Sequence, residues 1–453
     1  MNAQEQMTQG EPKRVLWSMA LPNMIGSLFS NALPAIELAL IAALGTNAIA
    51  AAGIVNMLVS LIFIYNEAWG TGSVIVMANY IGRKDYEKAK LALKETTYGK
   101  FFGALVLVLL CFPFLETLLS LLGARSDILP IAYSYALPFL LGVPFAMAGY
   151  STYTFFRATG QTVWAMWFML LQTAANMLLD IFLIKGLWIF PAFGLAGAGW
   201  AYLISWIIGD IGAFIFIASP AYELPTNILQ GIKFTQVGIE VFKVGFYAGL
   251  SNLSSVVVSV LTQRIINAVS IPVFAALQVF NRIVQIPNTV LSSIALISTP
   301  IMAQNVGANL HDRVRTFVHY CIRIGMWMLG IFAIICLAAP SPILALFQVK
   351  DPTLMPLSVA ALRIMAAVPL LTYGTSIFIS YFQAYNNTKL PFILNSICQW
   401  LFYAPMLYLL LVVLKMTPTT AFWLTTLNSL LALVLHWYYW NAHKKLVDNH
   451  FFD

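Results

Sequence analysis

The chain has 453 residues, 60% of them hydrophobic and only 9% charged, and a mean hydropathy of +0.82. Soluble globular proteins carry about a quarter charged residues, so this composition excludes one and requires a polytopic membrane protein, expected to be all-α because an open sheet cannot satisfy its backbone in lipid. The net charge of +7 does not call for nucleic acid, because basic residues in such a chain mark the loops that face the cytoplasm.

Apolar windows of about 20 residues predict twelve transmembrane helices, near 15–42, 52–80, 99–122, 131–156, 164–186, 193–218, 240–266, 272–300, 317–340, 356–384, 391–415 and 418–440. Helices are required, since an open sheet leaves its backbone unsatisfied in lipid and no barrel-like alternation is present. The polar residues 1–14 lack the apolar run and cleavage site of a secretory leader. The first span is therefore expected to be its own targeting signal.

That first span carries Glu37, with Pro22 and Pro34 ahead of it as helix-weakening points for a bend that answers to the acid. Glu67 beside Asn66 lies in the second span, as an accessory candidate for ion or substrate handling. The loop that follows is read as Arg83, Lys84, Lys88, Lys90, Lys94 and Lys100. With Lys13, Arg14, Arg157, Lys389, Lys444 and Lys445 on the same side, this bias predicts cytoplasmic termini. In the fifth span, Asn176 and Asp180 are spaced i, i+4 and share one helix face. An acid at the centre of a membrane helix costs about 2.5–3.5 kcal/mol, and those that persist face a bundle interior or a wet cavity. Asp210 in the sixth span is a second accessory candidate.

Residues 219–239 form a polar linker, and beyond it the sequence repeats. Residues 43–56 align with 268–281 and 77–88 with 302–313 at an offset of 225, and 155–162 align with 381–388 at 226. A nearly constant offset across three blocks indicates duplication. It predicts two six-helix lobes, 15–218 and 240–440, flanked by cytoplasmic tails 1–14 and 441–453 and related by a pseudo-twofold axis along the membrane normal. Glu37 maps onto Thr262 and Asp180 onto Met406, so the acids belong to the first lobe alone. Burial of an acid favours its neutral form and a second acid adds to this, so Glu37 and Asp180 suit proton loading and release. The same oxygens with the Asn176 carbonyl also suit Na⁺, a hard cation. Cys111, Cys321, Cys336 and Cys398 lack metal-ligand spacing, and no phosphate loop or hydrolase constellation is present. The chain is expected not to be an enzyme and to need no cofactor.

The blocks LGTNAIAAAGI (44–54), GTGSVIVMANYIG (70–82), RATGQT (157–162), NMLLD (176–180), GLAGAGWAYLIS (194–205) and TPIMAQNVGA (299–308) resemble those of the multidrug and toxic compound extrusion (MATE) transporters. The resemblance covers nearly the whole chain. It implies that Glu37, where the usual residue is Asp, and Asn176 and Asp180 are cation-coupling residues. Tyr202 stands where many members have a pocket-lining Thr, and Ser255 and Thr372 stand where NorM-like members have second-lobe acids. The sequence is thereby more similar to the DinF-like branch. The expected activity is antiport of amphipathic, cationic drugs for H⁺ in preference to Na⁺, by a plasma-membrane monomer whose partners are small organic substrates and lipid. The rivals are a lipid-linked saccharide flippase, which wants a cationic cleft, and a membrane scaffold or receptor that transports nothing.

Overall fold

A computed structural model describes residues 3–187, 190–228, 234–349 and 351–449, the side chains of residues 3, 4, 31, 32, 35, 448 and 449 apart. The regular elements among the described residues are all helices: α1 (Ala3–Gln9), α2 (Pro12–Ala42), α3 (Thr46–Gly82), α4 (Tyr86–Cys111), α5 (Leu115–Leu121), α6 (Leu129–Ala158), α7 (Thr162–Lys185), α8 (Leu195–Ala218), α9 (Gln236–Val269), α10 (Ile271–Gly307), α11 (His311–Ala338), α12 (Pro340–Leu346), α13 (Leu354–Ile364), α14 (Val368–Ala384), α15 (Lys389–Ser396), α16 (Ala404–Tyr408) and α17 (Thr420–Asn449). Two π-helical turns, Ile397–Tyr403 and Leu409–Val413, flank α16 and its Pro405. Proline deprives the helix of a donor, and widened turns are one way the backbone absorbs this.

Among the described residues, ten helices are able to cross a membrane by length and composition. The pair α13 and α14, bent by 40° at a short break that ends near Pro369, makes an eleventh when counted as one span. The twelfth expected span falls on α2, a continuous helix of 31 residues through Pro22 and Pro34, long enough at 1.5 Å per residue to cross a ~30 Å core. The fold is the predicted all-α membrane class. Its helices run further than the apolar windows did: α3 begins at Thr46 and α4 at Tyr86. Helix continues through polar residues once packing supports it, so Lys88 to Lys100 lie on α4 rather than in a loop. Of the expected linker, 229–233 lies outside the described residues.

Two compact units make up the chain. The first is 1–249 with 303–308, and the second is 250–302 with 309–453. In the first unit the start of α9 is fastened to its neighbours. Glu95 accepts from the Thr235 hydroxyl at 2.7 Å and the Gly238 N–H at 2.6 Å, and Tyr80 donates to Glu240 at 2.6 Å. A Cβ at Gly245 would stand 1.7 Å from the Ala68 carbonyl oxygen, so α3 and α9 meet backbone to backbone only because the residue is glycine. Residue Asn305 donates to the Met7 carbonyl at 3.1 Å, fixing α1. The second unit has its own apolar core around Ile266, Phe280, Cys336, Leu362, Leu407 and Phe422.

The duplication shows in the backbone as well as in the residues. Left-handed turns occur at Lys84 and Asn309, at Gly123 and Gln348, and at Gly160 and Asn386. These pairs are separated by 225, 225 and 226 residues. Such turns follow helix ends, where a left-handed residue closes the last carbonyls, so both units punctuate their helices alike.

Candidate functional site

Five helices of the first unit, α2, α3, α6, α7 and α8, wall a cavity of about 510 Å³, within the roughly 300–1,000 Å³ typical of small-molecule sites. On α7, Gln172, Thr173, Asn176 and Asp180 recur at three- and four-residue intervals and are all buried. This is a polar stripe turned inward, the reverse of a soluble helix. Asn176 lines the cavity, and Asp180, one turn further on, is only 1% exposed, with neither carboxylate oxygen hydrogen-bonded.

From α2, Ser30, Leu33, Pro34 and Glu37 line the cavity at the same helical spacing. Pro34 has no N–H, so the Ser30 carbonyl loses its helical donor at the cavity wall. Tyr135, fully buried on α6, donates to Glu37 Oε1 at 3.3 Å. The charges of Glu37 and Asp180 both act on Tyr135, and that of Glu37 acts on Asp180. Glu37 is thus bonded to the phenol, and Asp180 lies near enough for its charge to reach it.

Six aromatic rings, Phe63, Phe139, Tyr150, Tyr153, Tyr202 and Trp206, line the wall as well, beside Asn56, Val59, Ser60 and Met169. Tyr202 stacks on Phe139 with centroids 4.0 Å apart and an interplanar angle of 9°, and Tyr150 meets Trp206 at 4.9 Å. Ring faces of this kind attract a flat organic cation. Among the described residues the lining holds neither Lys nor Arg.

Of the expected site residues, Glu37, Asn176, Tyr202 and Pro34 line this cavity, with Asp180 adjoining them. Pro22 does not line it. Asp210 is buried behind the wall against Gly149, where a Cβ would stand 1.9 Å from its Oδ1, and its Oδ2 has no partner. Glu67 is exposed and outside the lining, where its charge acts on Lys100. The Ser255 hydroxyl accepts from Gln399 at 3.0 Å and that of Thr372 donates to the Val368 carbonyl at 2.9 Å, so both are committed within the second unit. Among the described residues no three His, Cys, Asp or Glu side chains gather as a metal site. Tyr135 escaped the sequence reading because one tyrosine among 19 carries no mark of its partner. Lys100 escaped because it adjoins a basic run.

The MatE family profile matches residues 22–182 and matches again at 248–409. The chain belongs to the MatE family. The two matches start 226 residues apart and end 227 apart, within two residues of the offset of the internal repeat. MatE-family relatives include the multidrug export protein MepA of Staphylococcus aureus, 23% identical over 327 residues covering 72% of this chain and 70% of that protein. The probable multidrug resistance protein YoeA of Bacillus subtilis is 23% identical over 360 residues, 77% of each chain. Among solved structures, a MATE protein in the bent conformation matches with a TM-score of 0.90 at 18% identity, covering 99% of this chain and 98% of that one. An outward-facing multidrug resistance MATE family transporter matches with a TM-score of 0.86 at 19% identity and 98% coverage of both. The twelve-helix, two-lobe MATE architecture fits this chain.

Proposed function

We propose that this chain is a secondary antiporter that exports amphipathic, cationic organic compounds in exchange for H⁺, alternating access to the first-unit cavity. One arrangement supports it above the rest: two membrane-embedded acids act on each other beside an aromatic cavity, and Asp180 has no donor to either oxygen. A bare buried carboxylate is costly, so the site needs a proton or a cation in each state of the cycle. Occupancy then alternates, with H⁺ loaded from one side and the organic cation held from the other. Asn176 orients the pair.

A proton requires one oxygen, whereas a hard metal cation gathers about six. The acid end of the cavity offers Glu37, Asp180 and Asn176, and the Tyr202 ring is engaged with Phe139. This favours H⁺ over Na⁺ and, with the hydroxyls at Ser255 and Thr372, the DinF-like branch. The drug-export names of MepA and YoeA agree with an organic substrate. The lobes 15–218 and 240–440, cytoplasmic tails, a plasma-membrane location and a monomer complete the reading. One proton entering down 100 mV supplies about 2.3 kcal/mol, and each pH unit adds about 1.4. That sustains a substrate gradient of tens to hundreds of fold.

The test is ΔpH-driven uptake of a fluorescent organic cation into vesicles of purified protein. Glu37→Gln and Asp180→Asn should each insert normally and accumulate nothing. Wild-type accumulation by either variant contradicts the proposal.

A further inference from the structure

Lys100 stands apart from the groups used above. It is 0% exposed in the middle of α4, and its Nζ has no hydrogen-bond partner. A Cβ at Gly70 would stand 3.6 Å from that Nζ, so the ammonium points at bare α3 backbone. The charges acting on it are Glu67 from α3 and Arg157 from α6, whose Nε is also unpartnered. Among the described residues, none of the three forms an ion pair with another within 4.0 Å.

The cluster adjoins the cavity. Tyr150 and Tyr153, which line it, lie two turns and one turn before Arg157 on α6. Tyr150 is acted on by Glu67 and Arg157, and Tyr153 by Arg157 and Asp210. The nearby Tyr65 hydroxyl is committed to the Gly99 carbonyl at 2.8 Å. In the second unit the equivalent positions are Ser292, Gly325 and Gln383, none of them charged. Like the acids, these charges belong to one unit only.

A buried ammonium without an acceptor is costly, and ionisable groups kept at membrane depth are there for function. Lysine, unlike arginine, exchanges its proton when buried. Glu67 is exposed while Lys100 is sealed, which makes the carboxylate the route by which that proton enters and leaves. We propose that Glu67 and Lys100 carry a second proton in each transport cycle. This rests on the antiport reading and adds a stoichiometry to it. An Nζ–H bond of the ammonium breaks and an O–H bond forms on the Glu67 carboxylate, through a rotamer change or one intervening water. The products are a neutral amine and a neutral acid, and Glu67 then gives the proton to water. Reloading is the reverse. Arg157 stays charged throughout, and the charge on Lys100 opposes an organic cation across the Tyr150 wall.

The experiment is the steady-state accumulation ratio of a fluorescent organic cation in vesicles of the full chain, at a ΔpH of one unit with the membrane potential clamped to zero. This ratio is thermodynamic, so a slow but folded variant still reports it. One proton fewer per cycle lowers it about tenfold per pH unit. Lys100→Met, Lys100→Arg and Glu67→Gln should each show that fall, with uphill transport retained. Arginine keeps the charge without giving up a proton, so rescue by Lys100→Arg would assign Lys100 a fixed structural charge and overturn the proposal. An unchanged ratio, or none above unity, in folded Lys100→Arg and Glu67→Gln would also overturn it. Should Lys100→Met fail to fold, those two variants carry the test. A wild type with no ΔpH-driven accumulation would overturn the antiport reading itself, and this proposal with it.

Discussion

The two units descend from one duplicated sequence, yet equivalent positions hold residues of opposite character. In the first unit Glu37, Tyr135, Asn176 and Asp180 gather beside a cavity. Their counterparts in the second unit are Thr262, an alanine at 360 or 361, Phe402 and Met406. Thr262 donates to its own helix, at the Val258 carbonyl, at 2.8 Å, while Ala361 is fully buried and Phe402 and Met406 pack against the apolar core. Duplication thus preserved the helices and their left-handed turns, and the proposed site lies in what the copies do not share. A fold can be kept by volume and pattern, whereas ion handling needs particular atoms.

That contrast can be broken most sharply by exchange. Met406→Asp places a carboxylate where the second unit offers only packing, and should lose about 2.5–3.5 kcal/mol of stability, read as lower yield and a lower Tm, without new transport. Normal stability there would mean the second unit also shelters a wet site. Next in size is Gly149→Ala, whose methyl would meet Asp210 Oδ1 at 1.9 Å. It should destabilise by about 1–3 kcal/mol, as overpacking does, in a thermal unfolding series. A smaller effect is expected for Trp206→Leu, which removes one cavity ring and should weaken binding of a flat organic cation by about 0.5–2 kcal/mol in a fluorescence titration, leaving a neutral analogue less affected.

The smallest effect concerns a helix cap that the copies also do not share. Asp85 accepts the Lys88 N–H at 3.2 Å at the start of α4, whereas Leu310 at the equivalent point of α11 makes no side-chain cap. The Lys88 side chain, 2.9 Å away, holds the Asp85 carboxyl below its ordinary range. Its contribution is therefore complete above that range and is lost as pH falls through the lowered value. Asp85 is partly exposed, so Asp85→Ala should cost no more than about 0.5–1 kcal/mol. The difference from wild type in a pH series of Tm values should vanish in acid.

Much of this was legible in the sequence. An acid inside an apolar run is conspicuous, and the i, i+4 spacing of Asn176 and Asp180 fixed their shared face before any coordinates. The repeat was legible for the same reason that the family profile matches twice. What was not legible depends on which helix lies beside which. Tyr135 has no local signal of its bond to Glu37, 98 residues away. In the sequence Lys100 reads as a loop residue because a hydropathy window ends where polar residues begin, whereas α4 continues through them and the bare backbone of Gly70 makes room for the ammonium. The junction of the units was hidden as well, because the start of α9 and residues 303–308 pack within the first unit.

The most direct measurement sets a proton gradient and a Na⁺ gradient separately across vesicles of the purified protein and follows a fluorescent organic cation, with Asp180→Asn in parallel. Accumulation driven by ΔpH alone and absent in Asp180→Asn is the predicted result. Accumulation that follows Na⁺ and ignores ΔpH, or that survives in Asp180→Asn, would contradict the central claim that the first-unit acids couple protons to export.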